Sequence, residues 1–132
     1  MFKKPTRPIY AAGILEKSDD EFLIARSVDE AAGRVWLFPR GPANPGESAE
    51  AAMRRIFREQ LGLDVEIVIG QPPLTADLDG RPVEVRYFFC VMIGGTQKAG
   101  PYAELRWVPK SQLREYEFDA YAKPVVEWLV SG

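Results

Sequence analysis

With 132 residues, 46% hydrophobic and 27% charged, the chain can bury one substantial core and reads as a single domain over 1–132. A net charge of -2 with no block of either sign excludes the broad phosphate-neutralising surface that holds nucleic acid. No segment approaches the about 18 apolar residues of a membrane span, so no membrane is expected as a partner and a soluble, cytoplasmic protein is the reading. Histidine is absent, which removes the commonest general base and every imidazole metal ligand. Chemistry in this chain falls to carboxylates, tyrosines, lysines, water or metal.

In chain order, the basic start "MFKKPTRP" reads as a solvated tail. "IYAAGIL" (9–15) and "FLIAR" (22–26) are short apolar runs separated by the polar "EKSDDE", a predicted hairpin. "RVWLF" is a further strand. After a central helix come "VEIVIG", "LTAD" and "VEVRYFFCVMI", the last two joined through Asp79-Gly80, a hairpin-turn signal. The single cysteine, Cys90, lies within that apolar run and reads as a buried structural thiol. Gly94-Gly95 reads as a strand-ending turn. "LRWVP" is a short strand, "KSQLREY" a short helix, and "DAYAKPVVEWLV" an amphipathic helix whose start or kink is marked by Pro124. Trp36, Trp107 and Tyr102 read as core or rim aromatics. Mixed strands around one central and one terminal helix predict an α/β sandwich.

The central helix has both ends fixed by sequence. Ser48 is a good N-cap after the Pro45-Gly46 turn, Ala49 to Gln60 are mostly helix formers, and Gly62 can take the left-handed closing conformation. At about 100° per residue Met53, Phe57 and Leu61 share the apolar face. Ile56, Glu59 and Gln60, at spacings of three and four, are expected on the adjacent one.

Around this helix the segment 41–63 resembles the signature box of the Nudix hydrolases (MutT-like): Gly, five residues, Glu, seven residues, then Arg-Glu-apolar-any-Glu-Glu-any-Gly-apolar. Gly41, Glu47, Arg55, Phe57, Glu59, Gly62 and Leu63 fall at the matching positions, and Gln60 is an isostere. Ile56 is a plain departure. The lead-in "WLFPRG" resembles the family's Trp-apolar-Leu-Pro-Gly-Gly with Arg40 in place of a glycine, and chain order agrees over nearly the full length.

The resemblance implies a Nudix-type α/β/α sandwich with a mixed β-sheet and a box that holds Mg2+ or Mn2+ against a diphosphate. It implies Glu59 and the Arg40 carbonyl as metal ligands, Glu59 and Glu47 as catalytic carboxylates, and Glu47 with Arg55, Gly41 and Gly62 as the structural brace. Arg40 would meet a substrate phosphate. The implied activity is hydrolysis of a pyrophosphate bond in a nucleoside diphosphate linked to another moiety, with a capped-end or dinucleoside polyphosphate expected over a sugar nucleotide. Ile56 and Gln60 stand where the family places carboxylates. Each charge lost within about 4 Å of a dication removes a Coulomb term of several kcal/mol at an effective dielectric of about 20. Glu50, Asp77, Asp79, Glu84 and Glu104 are the acids that could compensate. The alternative is a Nudix fold that binds a nucleotide or protein partner without turnover, as monomer or homodimer.

Overall fold

The computed structural model describes residues 8–17, 20–28, 35–71, 74–78 and 80–131, and for 76–78 the backbone alone. Residues 1–7 of the basic start, and Asp79, lie outside the described residues.

The strands are β1 (Ile9–Lys17), β2 (Glu21–Ser27), β3 (Trp36–Leu37), β4 (Arg40–Pro42), β5 (Leu63–Gly70), β6 (Leu74–Leu78), β7 (Arg81–Gly95) and β8 (Tyr102–Pro109). Helices α1 (Ala49–Ile56) and α2 (Lys123–Ser131) flank them, with a 3-10 turn at Lys110–Glu115. The sheet is mixed: β1 runs parallel to β7 from Ile9↔Glu84 to Leu15↔Cys90, and the remaining pairings are antiparallel. Gly80 takes φ 79 at the β6–β7 turn, and α2 begins one residue before Pro124.

Ala11 to Leu15 are buried without a break, which marks a strand covered on both faces. Alternation along β1 divides the core. Ala11 and Leu15 join Leu23, Met53, Phe57 and Leu61 beneath α1. Ala12 and Ile14 join Phe22, Ile24, Val125 and Leu129 beneath α2. The result is the α/β/α sandwich that the sequence predicts. Cys90 is 1% exposed within the α1 layer.

Strand β1 also sets where a cleft can open. Its edge opposite β7 is shared: Tyr10 to Ala12 pair with β4, whereas Glu16 and Lys17 pair with β2. The short β4 therefore leaves β1 at the point where the two halves of the sheet part.

At the start of α1 the Ser48 hydroxyl oxygen accepts from the Ala51 N–H at 3.1 Å. Gly62 closes the helix at φ 70, and a Cβ there would stand 2.5 Å from the Thr96 carbonyl oxygen. The expected straight helix to Gln60 instead widens into a π turn at Phe57–Leu61. Spacings of four still return to one face across that turn: Met53, Phe57 and Leu61 stay buried together, Arg55 reaches Glu59, and Gly41 lies against both Ile56 and Gln60. Ile56 is 2% exposed and Gln60 half-buried, and the Glu59 side chain is turned out to 64% exposure.

Phe57→Ala is expected to cost about 3–5 kcal/mol in urea unfolding, since Phe57 is wholly buried against β1. A loss below about 1 kcal/mol would show that the α1 layer is not a packed core.

Candidate functional site

The loop between β4 and α1 is held by one arginine. Arg55 donates from Nε to Glu47 Oε2 at 2.9 Å and from Nη2 to Glu47 Oε1 at 3.0 Å, a bidentate pair. The same Nη2 reaches the Pro42 carbonyl at 3.0 Å, and Nη1 reaches Glu59 Oε2 at 3.3 Å. Glu47 also accepts from the Asn44 N–H at 2.9 Å. Its hydrogen bonds from Arg55 and then from Asn44 hold the carboxyl below the usual glutamate range. Glu47, Arg55 and Glu59 thus form one chain of ionic hydrogen bonds along the outer side of α1.

The inner side of the site is neutral. Ile56 packs its Cδ1 against Gly41, 3.1 Å from where a Cβ on that glycine would begin. Beside it the Tyr102 hydroxyl donates to Gln60 Oε1 at 3.0 Å and accepts from the Arg40 N–H at 3.2 Å, with the Arg40 carbonyl 3.4 Å away. Burial pushes the Tyr102 phenol above its usual value despite the Arg40 N–H and charge, so it keeps its proton at neutral pH.

Arg40 directs its guanidinium away from this link. Nη2 donates to Asp119 Oδ2 at 2.6 Å, and the group lies 4.9 Å from the centre of the Tyr121 ring. Burial opposes the Arg40 charge, but Asp119 more than offsets it. Asp119 is placed by backbone bonding at β3, where its N–H donates to the Trp36 carbonyl, and Oδ1 accepts from the Ala122 N–H just before α2. Arg40 Nη1 is buried with no hydrogen-bond partner among the described residues. Arg40, Gly41 and Pro42 form one wall of a cleft of about 210 Å³, completed by Tyr10, Val83, Val85 and Tyr121.

Two of the acids considered as substitutes are engaged elsewhere. Glu104 pairs with Arg106 and Arg26, and Glu84 pairs with Arg86. The Asp77 side chain and Asp79 lie outside the described residues, and Glu50 is exposed in the first turn of α1. Among the described residues no three His, Cys, Asp or Glu side chains group as a metal site. Magnesium is held by hard, preferably anionic oxygens. Here the Arg40 carbonyl and Gln60 amide are neutral acceptors facing Tyr102, while Glu59 is turned outward onto Arg55. This donor set does not fit a tightly held dication. Cys90 is no nucleophile either, since burial pushes its thiol up to about 12.

Sequence spacing brought Gly41, Glu47, Arg55, Glu59 and Gln60 together, and the structure places them around one helix. It could not find Asp119 and Tyr121, or give Tyr102 any role beyond a core or rim aromatic, because no periodic pattern links them to residue 40 or 60. Only the fold makes them neighbours.

The depressed Glu47 carboxyl fixes a pH dependence. A group whose folded value lies below its unfolded one stabilises the fold above the unfolded value and loses that contribution as pH falls through the folded value. The gap in urea midpoint between wild type and Glu47→Gln is therefore expected at neutral pH and should close as pH falls below about 4.3. A gap that persists unchanged in acid would contradict the pair's ionic character.

A family model described as the NUDIX domain matches residues 6–129. An RNA pyrophosphohydrolase of Campylobacter jejuni subsp. doylei is 36% identical over 90 residues, 64% of this chain and 56% of that protein, so the match spans little more than half of the relative's length. A CTP pyrophosphohydrolase of Escherichia coli is 23% identical over 116 residues, 88% of this chain and 86% of the relative. Among solved structures, the solution structure of the E. coli ORF135 protein superposes with a TM-score of 0.84 at 22% identity, covering 95% of this chain and 89% of that one, and shows the same fold. Among the described residues, no helix is long and apolar enough to cross a membrane. With the family match running from residue 6 to residue 129, the chain belongs to the NUDIX domain family.

Proposed function

We propose that this chain binds the phosphoanhydride portion of a nucleoside diphosphate linked to another moiety, or of a nucleoside polyphosphate, and that it does so without appreciable turnover. The observation that carries this reading is the donor set of the box. Ile56 is a buried hydrocarbon, Gln60 is neutral, and Glu59 is the one carboxylate left on that stretch of helix. A branched hydrocarbon can neither ligate a cation nor take a proton from water. The ligand class is supported by the names of the relatives, which are pyrophosphohydrolases, and by the cleft beside the box.

The cleft has the composition of a nucleobase or nucleoside site. Tyr10 and Tyr121 supply aromatic surface, Val83 and Val85 an apolar floor, and the planar Arg40 guanidinium a rigid polar edge. Arg40 is held by Asp119 and Tyr121 rather than extended along the box, which favours contact with a base or ribose over capture of a distant phosphate.

A second reading keeps the reaction named for the relatives. In it the chain is a Nudix hydrolase of such a compound, dependent on Mg2+ or Mn2+, with Glu59 and Glu47 as its carboxylates. The intact run Glu47–Arg55–Glu59 favours it.

One experiment separates the two. Nucleoside diphosphate-linked compounds and polyphosphates are titrated calorimetrically and assayed for phosphate or nucleotide release, with Mg2+ or Mn2+, with chelator, and with Glu59→Gln. Saturable binding that survives chelator, without release above background, is expected. Release abolished both by chelator and by Glu59→Gln would establish the hydrolase instead.

A further inference from the structure

We propose that the Tyr102 hydroxyl performs in this chain the cross-linking that a divalent cation would perform in a carboxylate-bearing box, tying the Arg40 backbone to the side chain of residue 60. The inference rests on the donor set described above and deepens that reading by assigning the residue that holds the site together.

The link has the parts it needs. As an acceptor, Tyr102 takes the Arg40 N–H at 3.2 Å; as a donor, it reaches Gln60 Oε1 at 3.0 Å. A hydroxyl both donates and accepts, so one neutral group satisfies a backbone donor and a side-chain acceptor. The acceptors it faces, Gln60 Oε1 and the Arg40 carbonyl at 3.4 Å, are oxygens of the kind a hard cation would take. A cation seated between these two oxygens would compete with the phenol for the Gln60 oxygen and for the space between them.

Glutamine at 60 matches this arrangement. Its amide oxygen accepts from the phenol with no buried charge to be neutralised, whereas a carboxylate there would call for a cation. Ile56 completes the neutral lining, pressed against Gly41 on the side away from solvent.

Tyr102 is also delivered firmly. The segment before β8 lies on the end of the box helix through Thr96 N–H to Gly62 O at 3.1 Å and Lys98 N–H to Leu61 O at 2.9 Å. Gly100, at φ 60, comes so close to Gln60 that a Cβ would stand 2.0 Å from its carbonyl oxygen. Gly100 thus lets the chain close on Gln60 two residues before Tyr102, whose hydroxyl completes the link.

The test uses no nucleotide, so it stands or falls apart from the ligand reading. Free Mn2+ is followed by its paramagnetic resonance signal, and thermal melting is recorded with Mg2+ or chelator. The variants are Tyr102→Phe, Ile56→Glu with Gln60→Glu, and the combination of all three. Wild type is expected to take up no Mn2+ and to melt identically in Mg2+ and chelator. Tyr102→Phe is expected to lower the melting temperature by about 3–5 °C, the loss of one part-buried hydrogen-bonded link. The double variant is expected to gain metal-dependent melting, and the triple variant to bind Mn2+ at least about tenfold more tightly than the double, because the competing hydroxyl is gone. Mn2+ uptake by wild type, or an unchanged melt for Tyr102→Phe, would overturn the proposal. So would a triple variant no tighter than the double. Should the glutamate variants fail to fold, wild type and Tyr102→Phe still decide the matter.

Discussion

The bidentate pair between Glu47 and Arg55 is the interaction on which the rest of the site depends. Both oxygens of Glu47 are used by Arg55, which also reaches the Pro42 carbonyl and Glu59, so one guanidinium fixes β4, the loop after it and the outer side of α1. Planar fork geometry makes this possible, and lysine could not reproduce it. With the loop pinned, Gly41 is brought close enough for Ile56 to pack against it, and the Arg40 backbone faces Tyr102. The same frame would serve a catalytic box or a binding one. What differs between them is the charge of the side chains that the frame presents.

Much of the fold was legible in the sequence because its signals are local. Ser48 and Gly62 bracket the helix, Met53, Phe57 and Leu61 mark its buried face, and the spacing from Gly41 to Leu63 carries the family resemblance. The sandwich followed from mixed strands around one central and one terminal helix, whereas the division of β1 between two cores is visible only in the structure. Less legible was the π turn after Ile56, since no residue type announces it. Strand β4 was hidden for a similar reason: three residues carry too short a pattern to read, and the pairing of Arg40 to Pro42 is fixed only by β1.

The candidate site divides in the same way. Its helical half could be named from spacing, and its other half could not, because Tyr102, Asp119 and Tyr121 come from the later strand and the segment before α2. Arg40 shows what the difference costs. From sequence it is a cation beside a phosphate-binding loop. In the structure its charge is matched by Asp119, its plane lies over Tyr121, and it forms the edge of a cleft with Tyr10. A tightly paired arginine orients a ligand more than it attracts one.

The central claim is that a neutral hydroxyl link stands in the place of a metal cluster while the neighbouring cleft keeps its ligand. A crystal structure grown with a non-hydrolysable nucleoside polyphosphate and Mn2+, with anomalous data collected for manganese, tests it most directly. The account predicts the base or ribose beside Arg40, Tyr10 and Tyr121, the Tyr102 hydroxyl still bonded to Gln60 and the Arg40 N–H, and no manganese peak between the Arg40 carbonyl and the residue-60 side chain. Manganese bound there, with Tyr102 displaced and Glu59 turned inward to ligate it, would contradict the account.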